Sequence, residues 1–245
     1  MLSQHAQGYY YSGANAEVTL RETNHQYDRL KLKTRCEVDI EKFKGLETTS
    51  LGQKIPTPIC VAATAFHRLA RPDGELLTAK GANGTPFMLS SWASTPLEDA
   101  AKMCPDSLKF FQIYCSRKEE VNADLWRRVR ESGYTAMFLT TDTQLLGKRE
   151  IDVRNSFELP AHLRLANWTS YLQESSEVKA KGNDSGLSIF VKEHKKQDMS
   201  WEIIPHIKEV SKLKVFVKGV MCWEDAKLAI DNGADGIMVS NHGAR

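Results

Sequence analysis

Residues 86–115 read PFMLSSWASTPLEDAAKMCPDSLKFFQIYC, and the order of their patterns decides the fold class. PFMLSS (86–91) is a short apolar run closed by two serines. TPLEDAAKM (95–103) follows, with acidic residues near its start and apolar residues at helical spacing, as a helix N-terminus favours. LKFFQIYC (108–115) is a second apolar run. Continuous apolar runs, unlike polar–apolar alternation, suit strands covered on both faces. Strand, helix, strand in this order predicts a parallel βαβ unit with a right-handed crossover.

The pattern continues outward in both directions. Upstream lie the run IPTPICVAAT (55–64) and the helical segment PDGELLTAKGANG (72–84). Downstream, the runs AMFLTTD (136–142), KVFVKG (214–219) and GIMVSNH (236–242) are separated by the helical segments KEEVNADLWRRVRESG (118–133), SWEIIPHIKEVSK (200–212) and CWEDAKLAIDNG (222–233). Six strands are expected. Alternation alone suits a doubly wound sheet and a (β/α)8 barrel equally. The chain lacks G-x-G-x-x-G and G-x-x-x-x-G-K-[ST], which weakens the open nucleotide-binding sheet.

Two regions break the rhythm of what reads as one domain over 1–245. Residues 1–54 form an N-terminal arm carrying YYYSGAN (9–15). Residues 143–199 separate the fourth run from its helix, far beyond an ordinary βα loop, and predict a lid or a disordered segment. Within them lie a run of charged and small polar residues, ESSEVKAKGNDSG (174–186), and KEHKK (192–196), which reads as a solvated stretch.

Composition narrows the function class. The 245 residues carry 41% hydrophobic and 26% charged side chains, and a net charge of +2. So even a balance argues against nucleic acid or an anionic membrane surface as partner. The cysteines at 36, 60, 104, 115 and 222 are odd in number and contain no C-x-x-C, so neither a disulfide framework nor a metal cluster is expected. No apolar stretch is long enough to span a bilayer, and MLSQHAQG has no apolar signal core.

Polar residues gather at the ends of the runs. Thr64 closes the first and Ser90 the second; Gln112 and Tyr114 stand two apart in the third, and Thr140 and Asp142 two apart in the fourth. Lys218 ends the fifth, and Ser240 and His242 the sixth. Spacing of two places each pair on one face. In a parallel barrel such groups form the floor of an active site. Singly, each has a structural explanation: Lys218 neutralising Asp142, or hydroxyls satisfying loose backbone groups. Together they predict a polar pocket with a base, a cation and several donors.

YYYSGA, AATA, LSSWAS, FFQIY, LTTDTQLLGKRE with DVRNSFELP, FVKGV and VSNHGAR follow one another along nearly the whole chain. In combination they resemble the FMN-dependent 2-hydroxy acid oxidases and dehydrogenases, most closely the glycolate-oxidase-like members. The resemblance implies a TIM (β/α)8 barrel, here with about six strands, an arm and a long loop after strand 4. It implies His242 as catalytic base and Asp142 as its partner. Arg149 and Arg245 would clamp a carboxylate bidentately, with Tyr9, Tyr114 and Trp92 completing the substrate site. Ala63, Thr64, Ala65, Ser90, Gln112, Thr140, Lys218 and Ser240 would hold FMN, Lys218 at the ring edge where charge develops on reduction.

The implied reaction oxidises a small (S)-2-hydroxy acid such as glycolate to the 2-oxo acid, with O2 reduced to H2O2. A homotetramer and a peroxisomal location are the family's common settings. Ala63 and Gln144 stand where the family usually has proline, so looser loops are expected, and Tyr9, with eight residues before it, is expected to be weakly anchored. The sequence ends at Arg245, ahead of the family's FMN-phosphate motifs, so the chain reads as C-terminally incomplete. The alternatives are an inactive truncated remnant unable to retain FMN, and a barrel lyase using Lys218 as a Schiff-base nucleophile.

Overall fold

The computed structural model describes residues 2–82, 84–168, 171 and 178–245. Helices α1 (Gln4–Tyr11) and α2 (Val18–Arg29) open the chain, followed by a short hairpin of β1 (Thr48–Ser50) and β2 (Gln53–Ile55). Helix α3 (Gly74–Gly81) leads into β3 (Phe87–Ser90), α4 (Leu97–Met103), β4 (Lys109–Ile113), α5 (Glu119–Glu131) and β5 (Ala136–Thr140). Then come α6 (Glu150–Arg154), α7 (Gly186–His194), α8 (Ile203–Ser211), β6 (Lys214–Val220), α9 (Trp223–Asp231) and β7 (Gly236–Val239).

Strands β3 to β7 form one parallel sheet whose spatial order equals their order in the chain. A doubly wound sheet reverses direction at a switch point. This one never does; it winds steadily in one sense, as a barrel wall does. That settles what alternation left open.

The outer face of the sheet, with Phe87, Leu89, Phe111, Ile113, Met137, Leu139, Val215 and Val217, packs on apolar stripes of the helices, among them Leu97, Leu125, Trp126, Ile204 and Ile207. The inner face is layered with period two. Met88, Phe110, Phe138, Phe216 and Met238 form an apolar layer, in which the Phe138 and Phe216 rings stack at 4.9 Å. Two residues further along each strand or its extension stand Ser90, Gln112, Thr140, Lys218 and Ser240. The polar row therefore sits on an apolar floor.

Three expectations need correction. Only five of the six runs are strands. In IPTPICVAAT a single parallel bridge joins Val61 to Phe87. Pro56 and Pro58 remove two backbone donors, so the run makes only that contact with the sheet. The insert, second, is not a disordered segment over its described residues. It contains α6 and α7, and Phe157, Leu165, Trp168, Val178, Leu187, Phe190 and Val191 form a second core with Tyr9, Phe66, Trp92 and Tyr114. Of ESSEVKAKGNDSG, residues 174–177 lie outside the described residues.

The arm, third, is firmly placed at its start. Ser3 caps α1 through a hydrogen bond from the Ala6 amide, and Tyr9 is buried. By contrast, α2 buries none of its residues. No helix among the described residues is long and apolar enough to cross a membrane.

Candidate active site

A cleft of about 380 Å³ opens at the C-terminal ends of the strands. Every residue predicted for the site lines it except Asp142, which stands behind His242. The cleft also takes Tyr10 and Met238, for which the sequence reading had no role.

His242 lies just beyond β7, with φ +57°. Its amide donates to the Ser240 hydroxyl, closing the turn that holds this left-handed residue. Such backbone costs ~1–3 kcal/mol and persists only where its surroundings enforce it. Asp142 Oδ1 lies 2.7 Å from Nδ1, and Thr143 Oγ1 lies 3.0 Å from the same nitrogen. A carboxylate there requires the proton on Nδ1, which leaves Nε2 unprotonated on the cleft side. The Tyr114 hydroxyl, 3.3 Å away, donates to Nε2.

Burial pushes the Asp142 carboxyl upward, but the hydrogen bond and charge of His242, the Lys218 ammonium and the Thr143 hydroxyl outweigh it. Asp142 is held below the usual carboxylate range. Lys218 Nζ stands 3.7 Å from Asp142 Oδ2. Burial lowers its ammonium and Asp142 opposes the shift. The carboxylate can approach this closely because β6 has a register irregularity between Lys218 and Val220, at Gly219. Gly219 has φ +109°, and a Cβ there would stand 2.5 Å from that of Asp142.

The strand-end row is wired together. Ser90 Oγ donates to Gln112 Oε1 at 3.2 Å, and Gln112 Nε2 donates to Thr140 Oγ1 at 2.8 Å. The Trp92 amide donates to Ser90 Oγ. Trp92 and Tyr114 pack at 4.5 Å, and Phe190 of the insert meets Trp92 edge-on at 6.2 Å.

Two guanidinium groups converge on Tyr9, Arg149 at 5.3 Å and Arg245 at 4.5 Å from the ring centre. Arg245 also donates to the Tyr9 carbonyl. Burial, with help from the Arg149 charge, lowers the Arg245 guanidinium, while Tyr9 and Asp152 oppose that. Arg149 is buried, and its Nε and Nη1 have no hydrogen-bond partner, nor has Arg245 Nε. Asp152 Oδ2 stands 3.8 Å from Arg149 Nη1, an ion pair without a hydrogen bond. A buried and a half-buried cation with unused donors beside one cleft suit an anionic ligand.

Tyr9, expected to be weakly anchored, is among the best held residues. Its ring stacks on Phe157 at 5.4 Å and meets Phe66 edge-on. Three residues around the site were not foreseen: Thr143, Asp152 and Lys195. Thr143 adjoins Asp142, so strict alternation assigned it to the other face. Lys195 belongs to KEHKK, read as solvated. It is 1% exposed, and that reading is corrected at this residue.

Comparison with known proteins places this geometry in context. The family model described as FMN-dependent dehydrogenase matches residues 1–245. Human 2-hydroxyacid oxidase 1 is 41% identical over 239 residues, covering 97% of this chain and 64% of the relative. Glycolate oxidase 1 of Zea mays is 41% identical over 246 residues, covering 100% and 65%. Among solved structures, a mandelate oxidase with (S)-4-hydroxymandelic acid superimposes with a TM-score of 0.91 at 29% identity, covering 100% of this chain and 67% of that one. The chain thus spans about two thirds of the length of the relatives it matches.

Proposed function

The chain belongs to the FMN-dependent dehydrogenase family, and from that premise we propose that its cleft holds FMN and oxidises a small (S)-2-hydroxy acid, such as glycolate, to the 2-oxo acid with O2 as electron acceptor. The observation that carries the reading is one imidazole whose unprotonated Nε2 faces the cleft, beside the buried Arg149 and half-buried Arg245 guanidinium groups with unused donors. A base and an anion clamp facing one cleft are what a hydroxy acid needs.

The residues present fit the cofactor. Ser90, Gln112 and Thr140 offer a row of alternating donors and acceptors, and Lys218 adds a buried cation at the same level. That donor set matches the polar edge of a flavin ring. When bound, FMN supplies a two-electron acceptor. Ser90, Gln112, Thr140 and Ser240 would line that edge, with the backbone at Ala63, Thr64 and Ala65 beside it. Lys218 would sit where negative charge develops.

Arg149 and Arg245 would bind the substrate carboxylate and fix C2 in place. The Tyr9 hydroxyl would add a hydrogen bond to that carboxylate, and Tyr114 one to the substrate hydroxyl. Trp92, packed against Tyr114 and Phe190, would close the pocket around a short side chain. His242 Nε2 would take the hydroxyl proton. Asp142, ionised because its carboxyl is held low, would stabilise the imidazolium that results.

The experiment is to load the purified chain with FMN and add glycolate anaerobically. The flavin band should bleach, and admission of air should restore it with release of H2O2. In His242→Ala, FMN should remain bound while reduction slows by at least about a hundredfold, the scale of general-base catalysis. Failure of the chain to retain FMN would favour the reading of an inactive protein. Near-normal reduction in His242→Ala would assign the base to another group.

A further inference from the structure

Lys195 follows the last residue of α7, and its ammonium is buried in the second core. Nζ donates to the backbone carbonyls of Thr143 and, at 3.4 Å, of Gln144. It also stands 5.5 Å from the centre of the Tyr114 ring. Burying an ammonium forfeits far more solvation than burying an apolar side chain, so filling space alone does not explain Lys195. Charge-assisted bonds to carbonyls and a ring face offset that cost.

Two of the residues that Lys195 touches, Thr143 and Tyr114, also engage the imidazole. Thr143 presents its hydroxyl to His242 Nδ1 and to Asp142 Oδ1, and Tyr114 presents its hydroxyl to Nε2. The base of the lysine is itself fixed. The Lys196 amide donates to the Cys115 carbonyl, the Arg117 amide to His194, and Arg117 Nε to the Lys195 carbonyl. A rigid post therefore rises from the extension of β4 to the loop that follows β5.

We propose that Lys195 is a positioning residue for His242, clamping the 143–144 backbone and the Tyr114 ring so that both imidazole nitrogens keep their partners. The placement itself does not depend on the reaction; its kinetic consequence rests on the reading of His242 as the base. Lys195 acts through Thr143 and Tyr114 and does not line the cleft.

The test uses the full chain labelled with 15N-histidine, in wild-type form and as Lys195→Met and Lys195→Arg. In the wild type, the His242 Nδ1 proton, held between Asp142 and Thr143, should appear far downfield and exchange slowly. Lys195→Met should make it exchange at least about tenfold faster, and Lys195→Arg should restore it, since the cation and its donors return. With FMN bound, flavin reduction per bound flavin should fall about tenfold in Lys195→Met while KM for glycolate stays within about twofold, the signature of a displaced base with an intact carboxylate clamp.

An unchanged proton signal and unchanged reduction, with only the melting temperature lowered, would overturn the proposal and leave Lys195 a packing residue. If the methionine variant does not fold, Lys195→Gln replaces it. A proton exchanging faster than in the wild type supports the clamp, and wild-type exchange overturns it. A slow Nδ1 proton lost in Lys195→Met, in a protein whose flavin no hydroxy acid reduces, would uphold Lys195 and sink the proposed reaction.

Discussion

Asp152 is an unusual carboxylate. It is 2% exposed, neither oxygen has a hydrogen-bond partner, and the nearest cation is Arg149 at 3.8 Å. Burial raises its carboxyl above the ordinary range, although Arg149, Arg245 and His5 pull it down. In the window just above the ordinary aspartate value, of about 4, the folded chain therefore holds a proton that the unfolded chain has released. Stability declines as pH rises through that window, because the native state binds more protons there. Asp152→Asn removes this dependence. Urea midpoints measured at a series of pH values should fall less steeply from pH 4 upward in the variant than in the wild type. Parallel curves would mean that Asp152 ionises as readily folded as unfolded. Nothing in the sequence marked this residue. DVRNSFELP was recognisable as a stretch, but an aspartate three residues after an arginine reads as an ordinary helical ion pair.

At the scale of elements, β6 makes the sharpest demand on its sequence. Gly219 combines a left-handed φ with a Cβ position 2.5 Å from the Asp142 side chain. Gly219→Ala should cost on the order of 2–3 kcal/mol, the sum of backbone strain and overpacking. It should also push Asp142 away from His242. A lower urea midpoint at unchanged m-value checks the first effect, and a faster-exchanging His242 Nδ1 proton checks the second. Other elements were readable from simple rules. Glu98 and Asp99 mark the start of α4, Glu119 and Glu120 that of α5, and Glu224 and Asp225 that of α9. The run at 55–64 was misread because its apolar content is that of a strand, while its prolines forbid the ladder. The insert hid α7 because LSIFV is flanked by charges. The Ser185 side chain, which accepts from the Ser188 amide, was the available cue for that helix.

At the scale of the whole molecule, the site is where four separate segments meet around one ring. Tyr9 comes from α1, Phe66 from the loop after the first run, Phe157 and Arg149 from the insert, and Arg245 from beyond β7. The Ala14 amide bonds the Ala244 carbonyl, tying the arm to the turn that carries His242. The residues of the strand-end row were legible because a two-residue period and a parallel sheet suffice to align them. The meeting of arm, insert and final loop was not, since no local pattern records which distant segments share a core. This architecture predicts two levels of stability, because β4, β5 and β6 are central in the sheet while the Tyr9 cluster rests on packing between segments. Phe157→Ala removes a fully buried ring stacked on Tyr9, a change that ordinarily costs ~3–5 kcal/mol. Its effect should be regional. Amide exchange should quicken in α1, α6 and residues 240–245, while β4 to β6 keep their protection. Uniform acceleration across the sheet would show that the two cores unfold as one unit. Selective loosening would show that the base and the carboxylate clamp are held by the less stable of the two.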